Sequence, residues 1–255
     1  MIYNINKFII FYLMGGEVFD DTIVLTKDDY DKWIADFLSK IKLIYGKDYM
    51  LPYRLQNKVK YSDIDFIVHD CNKMIDEIKD IDKPKLIKKI KLYDEKFDSY
   101  SMHVLTNDNI QIDILKAWTE KSIEMTQIYY SYSCANIFFK KLVTCVSDTF
   151  KLSYMGLFCC NNKYIIPDDI ESTKIDKNIR LITDPMFFFN FIDLNYEEYK
   201  KGFNDEYDML KYFEKSKYYN KIKFIVNSKF KHDCKRLETF NNLYINNLLK
   251  IDNKL

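Results

Sequence analysis

Apolar residues recur at two different periods along this chain, and the change of period predicts where strands and helices lie. In "TKDDYDKWIADFLSKIKLIYG" (26–46), Trp33, Ile34, Phe37, Leu38, Ile41 and Ile44 return every three or four residues, which is the spacing of one helix face. Thr26 stands before the run as an N-cap with Asp29 at the third position, and Gly46 is the expected stop. "CNKMIDEIKD" (71–80) reads as a helix, while "KPKLIKKIKLYDEKF" (83–97) fits either a helix or an amphipathic strand. Residues 63–68 read as a strand. "HVL" and "IQIDIL" read as two more, joined by a turn at Asn107-Asp108-Asn109. "EVFDDTIVL" (17–25) is a short extended piece, and "DYMLPYRLQNKVKYS" (48–62) is a turn-rich, basic connection.

Beyond residue 120 the helical period dominates. Residues 119–150, 184–192, 204–219 and 231–249 are expected helices, with Pro185 at a first helical position and Asn204 as a cap. The pattern predicts an α/β (α+β) protein in two parts, a sheet-containing unit over 1–120 and a mostly helical one over 121–255. "MIYNINKFIIFYLMGG" (1–16) has an apolar run too short to span a bilayer and no small-residue cleavage signature, so a first packing helix is expected there.

Charge narrows the partners. Lys and Arg total 39 against 38 Asp and Glu, a net +1, so a polyanion needs a local basic patch. The densest is "KFKHDCKR" (229–236), with Phe230 interleaved, a composition that suits either a nucleic-acid backbone or the start of a solvated helix. The six cysteines (71, 134, 145, 159, 160, 234) contain no C-x-x-C pair, and reduced thiols in a cytoplasmic setting are expected. No P-loop, dinucleotide fingerprint or nucleophile elbow occurs, and neither His69 nor His103 has a sequence neighbour that suggests a triad.

One stretch stands out against this background. In "VKYSDIDFIVHD" (59–70), Asp63 and Asp65 interrupt an otherwise apolar strand. Residues two apart share a strand face, so the two carboxylates project together, opposite Ile64 and Phe66. Asp113, flanked by Ile112 and Ile114, has the same relation to its own strand. If the strands are neighbours, three carboxylates meet, and their repulsion calls for a cation. Hard oxygen donors of this kind suit Mg²⁺ or Mn²⁺. The stretch is not an EF-hand loop, because the third acidic position and the glycine are missing. The alternative is that aspartates at strand ends simply meet solvent.

An Asp-x-Asp on one strand with a third Asp on a neighbouring strand resembles the active site of the DNA polymerase β-like nucleotidyltransferase superfamily. "MGGEVFDD" (14–21), "YSDIDFIVHD" (61–70), "IQIDIL" (110–115), "SIEMTQIYYSYSCANIFFKKLV" (122–143) and "RLITDPMFFFNFIDLNYEEYKKGF" (180–203) look most like segments of nucleotidyltransferases from phages and giant DNA viruses, relatives of viral poly(A) polymerases. The resemblance implies a nucleotidyltransferase-type mixed sheet with flanking helices over 1–120. It also implies transfer of a nucleoside monophosphate from an NTP, ATP favoured, to an acceptor hydroxyl, with an RNA 3′ end favoured. Asp63, Asp65 and Asp113 would be the catalytic and metal-binding residues for Mg²⁺ or Mn²⁺. Arg54, Lys58, Lys60, Ser62, Ser131, Ser133 and Lys141 would be nucleotide contacts. No membrane partner is implied. A homo- or hetero-oligomer, and a host cytoplasm or virion location, are compatible with it. The chain departs from the family at one point. A Gly-Ser or Gly-Gly pair normally precedes the first aspartate by about ten residues, and Tyr53-Arg54 stands there instead. Tyr53 denies a triphosphate the close backbone approach of glycine, whereas Arg54, Lys58 and Lys60 offer side-chain charge. Two other outcomes fit the same residues, transfer to a protein or small molecule, and a catalytically silent binding or dimerisation subunit.

Overall fold

The computed structural model describes residues 18–91, 100–132, 135–160 and 166–222. Expectations for 1–16, for Ser133, for the basic stretch 229–236 and for the helix 231–249 lie outside them.

The N-terminal sheet has five strands in the order β2 (Tyr49–Met50), β4 (Ile64–Val68), β7 (Gln111–Lys116), β6 (Tyr100–Leu105) and β5 (Leu86–Lys91). β4 and β7 run parallel, and the other pairs are antiparallel. β1 (Leu25–Thr26) and β3 (Lys60–Tyr61) form a small antiparallel pair of their own. Of the segment 83–97 that fitted either element, Leu86–Lys91 form β5, and residues 92–97 lie outside the described residues. β6 and β7 make the expected hairpin, turned by Asn109 at a φ of 60°.

Alternation explains the layering. Ile64, Phe66 and Val68 of β4 and Ile112 and Ile114 of β7 point to one face. There they pack with Tyr30 and Phe37 of α1 (Lys27–Lys40) and with Met74, Ile75 and Ile78 of α2 (Cys71–Ile81). Thr26 caps α1 by accepting the Asp29 amide, and Asp70 caps α2 by accepting from Asn72 and Lys73. On the other face Ile67 and Leu115 pack with Ala117 and with Ile123 of α3 (Ile123–Tyr130).

α1 stops earlier than its apolar period predicts. It ends at Lys40, and Ile44 is 58% exposed. The chain from 41 onward is drawn into a turn that brings Tyr49 and Met50 alongside β4, with Asp48 donating to the Ile44 carbonyl and Gly46 at a φ of 79° inside the turn. Sheet pairing overrides helix periodicity here.

The C-terminal part is built on a second cluster that includes Phe138, Phe139 and Leu142 of α4 (Ala135–Val146), Phe188 and Phe189 of α5 (Pro185–Phe191), Tyr199 of α6 (Tyr196–Lys200) and Phe213 of α7 (Glu206–Glu214). Pro185 is at a first-turn position behind the cap Asp184. α7 is capped by Asp205 rather than Asn204, whose amide instead donates to Asp208. The expected helix over 119–150 is interrupted after α3, where Tyr132 takes a φ of 51° and gives its amide to the Tyr53 carbonyl.

Between the helices lies a four-stranded antiparallel sheet that the helical period did not predict, in the order β10 (Ser172–Asp176), β11 (Ile179–Ile182), β9 (Gly156–Cys159) and β8 (Phe150–Ser153). Gly156 is essential to its closure. Its φ is 139°, and a Cβ there would sit 2.5 Å from the Ile182 carbonyl oxygen. Gly156→Ala is expected to lower stability by about 2–3 kcal/mol, read as a fall in the urea midpoint, and an unchanged midpoint would contradict that close approach.

Candidate metal centre

The parallel register of β4 and β7 sets Asp65 directly opposite Asp113, and Asp63 lies two residues before Asp65 at the entrance of β4. One carboxylate oxygen from each of the three lies within 4.8 Å of the other two. Asp63 and Asp113 are only 7% and 5% exposed. Burying three like charges together is costly unless each is compensated.

Asp65 and Asp113 each have a distinct compensation. The Arg54 guanidinium donates from Nη2 to Asp65 Oδ2 at 2.7 Å. Its charge lies over the Tyr30 and Tyr61 rings, at 5.1 and 5.3 Å from their centroids, and those rings stack on each other at 4.1 Å. Arg54 Nε is buried with no hydrogen-bond partner among the described residues. Asp113 Oδ1 is met at 2.7 Å by His103 Nδ1 and again at 2.7 Å by Gln111 Nε2. Asp63 is the least compensated. Burial, followed by repulsion from Asp65 and Asp113, pushes its carboxyl up to about 7, against the opposing pull of Arg54 and Lys58. Burial also raises Asp65, with Arg54 as the main opposing influence.

Three oxygen donors at this separation, with one carboxyl raised by burial and by its two like-charged neighbours, fit a hard divalent cation. The donor set holds no nitrogen or sulfur, which favours Mg²⁺ or Mn²⁺ over softer ions.

The remaining predicted residues fall in different surroundings. Lys58 is half-buried with its ammonium over the Tyr61 ring, 4.7 Å from the centroid, and it bears electrostatically on both Asp63 and Asp65. Lys60 is exposed on β3, opposite Thr26, and Ser62 is half-buried next to Asp63. Ser131 is buried, and its hydroxyl donates to the Gln127 carbonyl while accepting the Tyr53 amide at 2.8 Å. It therefore anchors the backbone of the Tyr53-Arg54 loop. Lys141 is half-buried on α4. The loop is tied down a second time, by the Gln56 and Asn57 amides donating to the carbonyls of Phe203 and Asn204.

Sequence reasoning missed Ser101, His103 and Gln111. Ser101 and His103 are two apart on β6, as Gln111 and Asp113 are on β7, so each pair shares a face. The β6–β7 register then sets His103 opposite Asp113, and the β5–β6 register sets Lys88 opposite His103. A single cross-strand row, Lys88, His103, Asp113 and Asp65, runs over four strands. Lys88 itself donates to the Val18 carbonyl and lies over the Phe19 ring.

No family model matches the chain, and no curated protein matches it. Among solved structures it is similar to the polymerase beta of Leishmania infantum in a ternary P/T complex, with a TM-score of 0.41 and 11% identity over 73% of this chain and 82% of that one. The chemistry of the site rests on its own residues. Among the described residues, no helix is long and apolar enough to cross a membrane, and Cys71, Cys145, Cys159 and Cys160 form no disulfide.

Proposed function

We propose that the protein is a divalent-metal-dependent nucleotidyltransferase, with its catalytic core in residues 1–120. It would move a nucleoside monophosphate from an NTP, ATP favoured, to an acceptor hydroxyl, an RNA 3′ end favoured. The observation that supports this most directly is the convergence of Asp63, Asp65 and Asp113 oxygens within 4.8 Å on two parallel strands. The likeness of those strands to the polymerase β-like aspartate motif points the same way.

Asp63 and Asp65 would hold Mg²⁺ or Mn²⁺, and Asp113 would complete the set and orient the acceptor hydroxyl or accept its proton. When bound, the cation supplies electrophilic polarisation of phosphoryl oxygens and a lowered pKa for the attacking hydroxyl. Arg54, Lys58 and Lys60 supply positive charge for a triphosphate, with Ser62, Ser133 and Lys141 as further contacts. Ser131 contributes by holding the loop that carries Arg54.

A second reading is favoured by one observation. Arg54 already occupies Asp65 at 2.7 Å, so an internal cation stands where a metal would act, as in a catalytically silent binding or dimerisation subunit. Incubation of the full chain with each labelled NTP, Mg²⁺ or Mn²⁺ and a short RNA separates the two. Label on RNA that disappears with EDTA is the expected result, with ATP the best donor. Label on protein or on a small molecule would move the acceptor assignment. No label, together with no metal-dependent shift in melting temperature, would favour the silent subunit.

A further inference from the structure

We infer that Ser101, His103 and Gln111 are positioning residues that lock Asp113 into the orientation in which it serves a cation. The inference rests on the metal-centre reading above and adds to it the residues that set the ligand's geometry.

Both donors reach the same oxygen. His103 Nδ1 and Gln111 Nε2 each lie 2.7 Å from Asp113 Oδ1, and among the described residues none donates to Oδ2. A carboxylate held by two donors on one oxygen has lost its freedom to rotate about χ2, and its second oxygen is left for another positive partner. His103 is itself held from behind. Ser101 Oγ lies 2.7 Å from His103 Nε2. An ionised Asp113 only accepts, so in the neutral imidazole Nδ1 carries the proton and Nε2 takes the serine hydroxyl proton. The serine thereby selects the tautomer that points N–H at Asp113. Ser101, His103 and Gln111 are all buried, so water does not compete for these bonds. The amide of Gln111 is oriented by the same logic, since a flipped amide would bring its oxygen against the carboxylate.

Ser101, His103 and Asp113 have the connectivity of a serine-hydrolase triad, and their placement argues against that chemistry. Ser101 is 2% exposed, it sits two residues from its base on the same strand, and the acid of the set is shared with Asp63 and Asp65. The chain of bonds ends at the carboxylate cluster, and the serine is its far end.

The test is Mn²⁺ affinity of the intact 255-residue chain, followed by titration with electron paramagnetic resonance detection, with thermal unfolding in EDTA measured alongside. His103→Leu is expected to weaken Mn²⁺ binding by about 10–100-fold, the loss typical of removing a hydrogen-bond partner of a metal ligand. His103→Asn, whose amide N–H stands close to the position of Nδ1, is expected to recover most of that loss, which a purely space-filling role would not predict. Ser101→Ala frees the other tautomer and is expected to weaken binding by a smaller factor. Should His103→Leu not fold, the pair Ser101→Ala and His103→Asn carries the test: weakening in the first with near-parent affinity in the second supports the relay. Parent-like affinity in His103→Leu, or in Ser101→Ala if that variant alone is available, overturns it. So does an Asn variant as weak as the Leu one. A parent protein that binds no Mn²⁺ removes the metal-centre reading itself and this inference with it, an outcome distinct from a parent that binds and variants that match it.

Discussion

Asp63→Asn is expected to make the metal-free protein more stable at pH 8 and at the same time to reduce nucleotide transfer by about 10³-fold or more. The two effects have one cause. Asp63 is buried beside two like charges, and its carboxyl is pushed up to about 7, first by burial and then by Asp65 and Asp113, while Arg54 and Lys58 pull the other way. In the unfolded chain an aspartate titrates at about 3.9. Between those two values the native state binds a proton that the unfolded state has released, so stability rises as the pH falls from about 7 towards 4. Above 7 the folded protein carries the full cost of the ionised group, on the order of 2–4 kcal/mol. Asparagine keeps the shape and removes the charge, so it removes both that cost and its pH dependence. Urea unfolding in EDTA at pH 5 and pH 8 measures it. The parent should be the less stable of the two at pH 8 and should close the gap at pH 5. Saturating Mn²⁺ should reverse the order at pH 8, because the ion stabilises only the protein that holds it. A variant that is less stable than the parent at pH 8 without metal would make Asp63 a structural residue.

Arg54→Met has the opposite sign. Methionine retains bulk beside the Tyr30 and Tyr61 rings, but Asp65 loses the guanidinium 2.7 Å away. The pair is only 16% and 21% exposed, so the charge left behind stays poorly solvated, and the expected loss of stability is about 3 kcal/mol. The loss should be largely repaired by Mn²⁺. With the arginine gone, a divalent ion becomes the nearest source of positive charge for all three carboxylates, and the metal-induced rise in melting temperature should be larger in Arg54→Met than in the parent. Equal rises would mean that arginine and metal do not share Asp65. A stability change below about 0.5 kcal/mol would mean that the pair behaves as a surface contact. The comparison also bears on the silent-subunit reading, in which Arg54 permanently replaces the cation. In that case the parent gains nothing from metal and the variant does.

Much of the site's first layer was legible from the chain alone. Asp63 and Asp65 had to share a face because strand side chains alternate, and Asp113 had to oppose Ile112 and Ile114 for the same reason. Thr26 and Pro185 were readable as helix starts because capping is a local transaction between a side chain and the next turn. The four strands over 150–182 were not readable in the same way. β10, "STKID", has no buried residue, so it carries no apolar alternation. Its pairing with β11 is made by backbone hydrogen bonds, which leave no mark on side-chain type. Ile44 misled for a related reason: its position fitted the helical stripe, and a turn required by β2 took it out of the helix.

Periodicity, and with it which residues face together within each strand and helix, is written into the order of the residues, since those relations follow from backbone geometry over a few residues. Tertiary structure alone decided that β4 and β7 lie side by side and parallel, bringing Asp65 opposite Asp113. It also decided that Arg54 folds back between two tyrosines onto Asp65, and that His103 stands behind Asp113 with Ser101 behind it. These are contacts between separate segments, selected by how apolar faces pack and how strands register. No local pattern encodes which strand will be the neighbour.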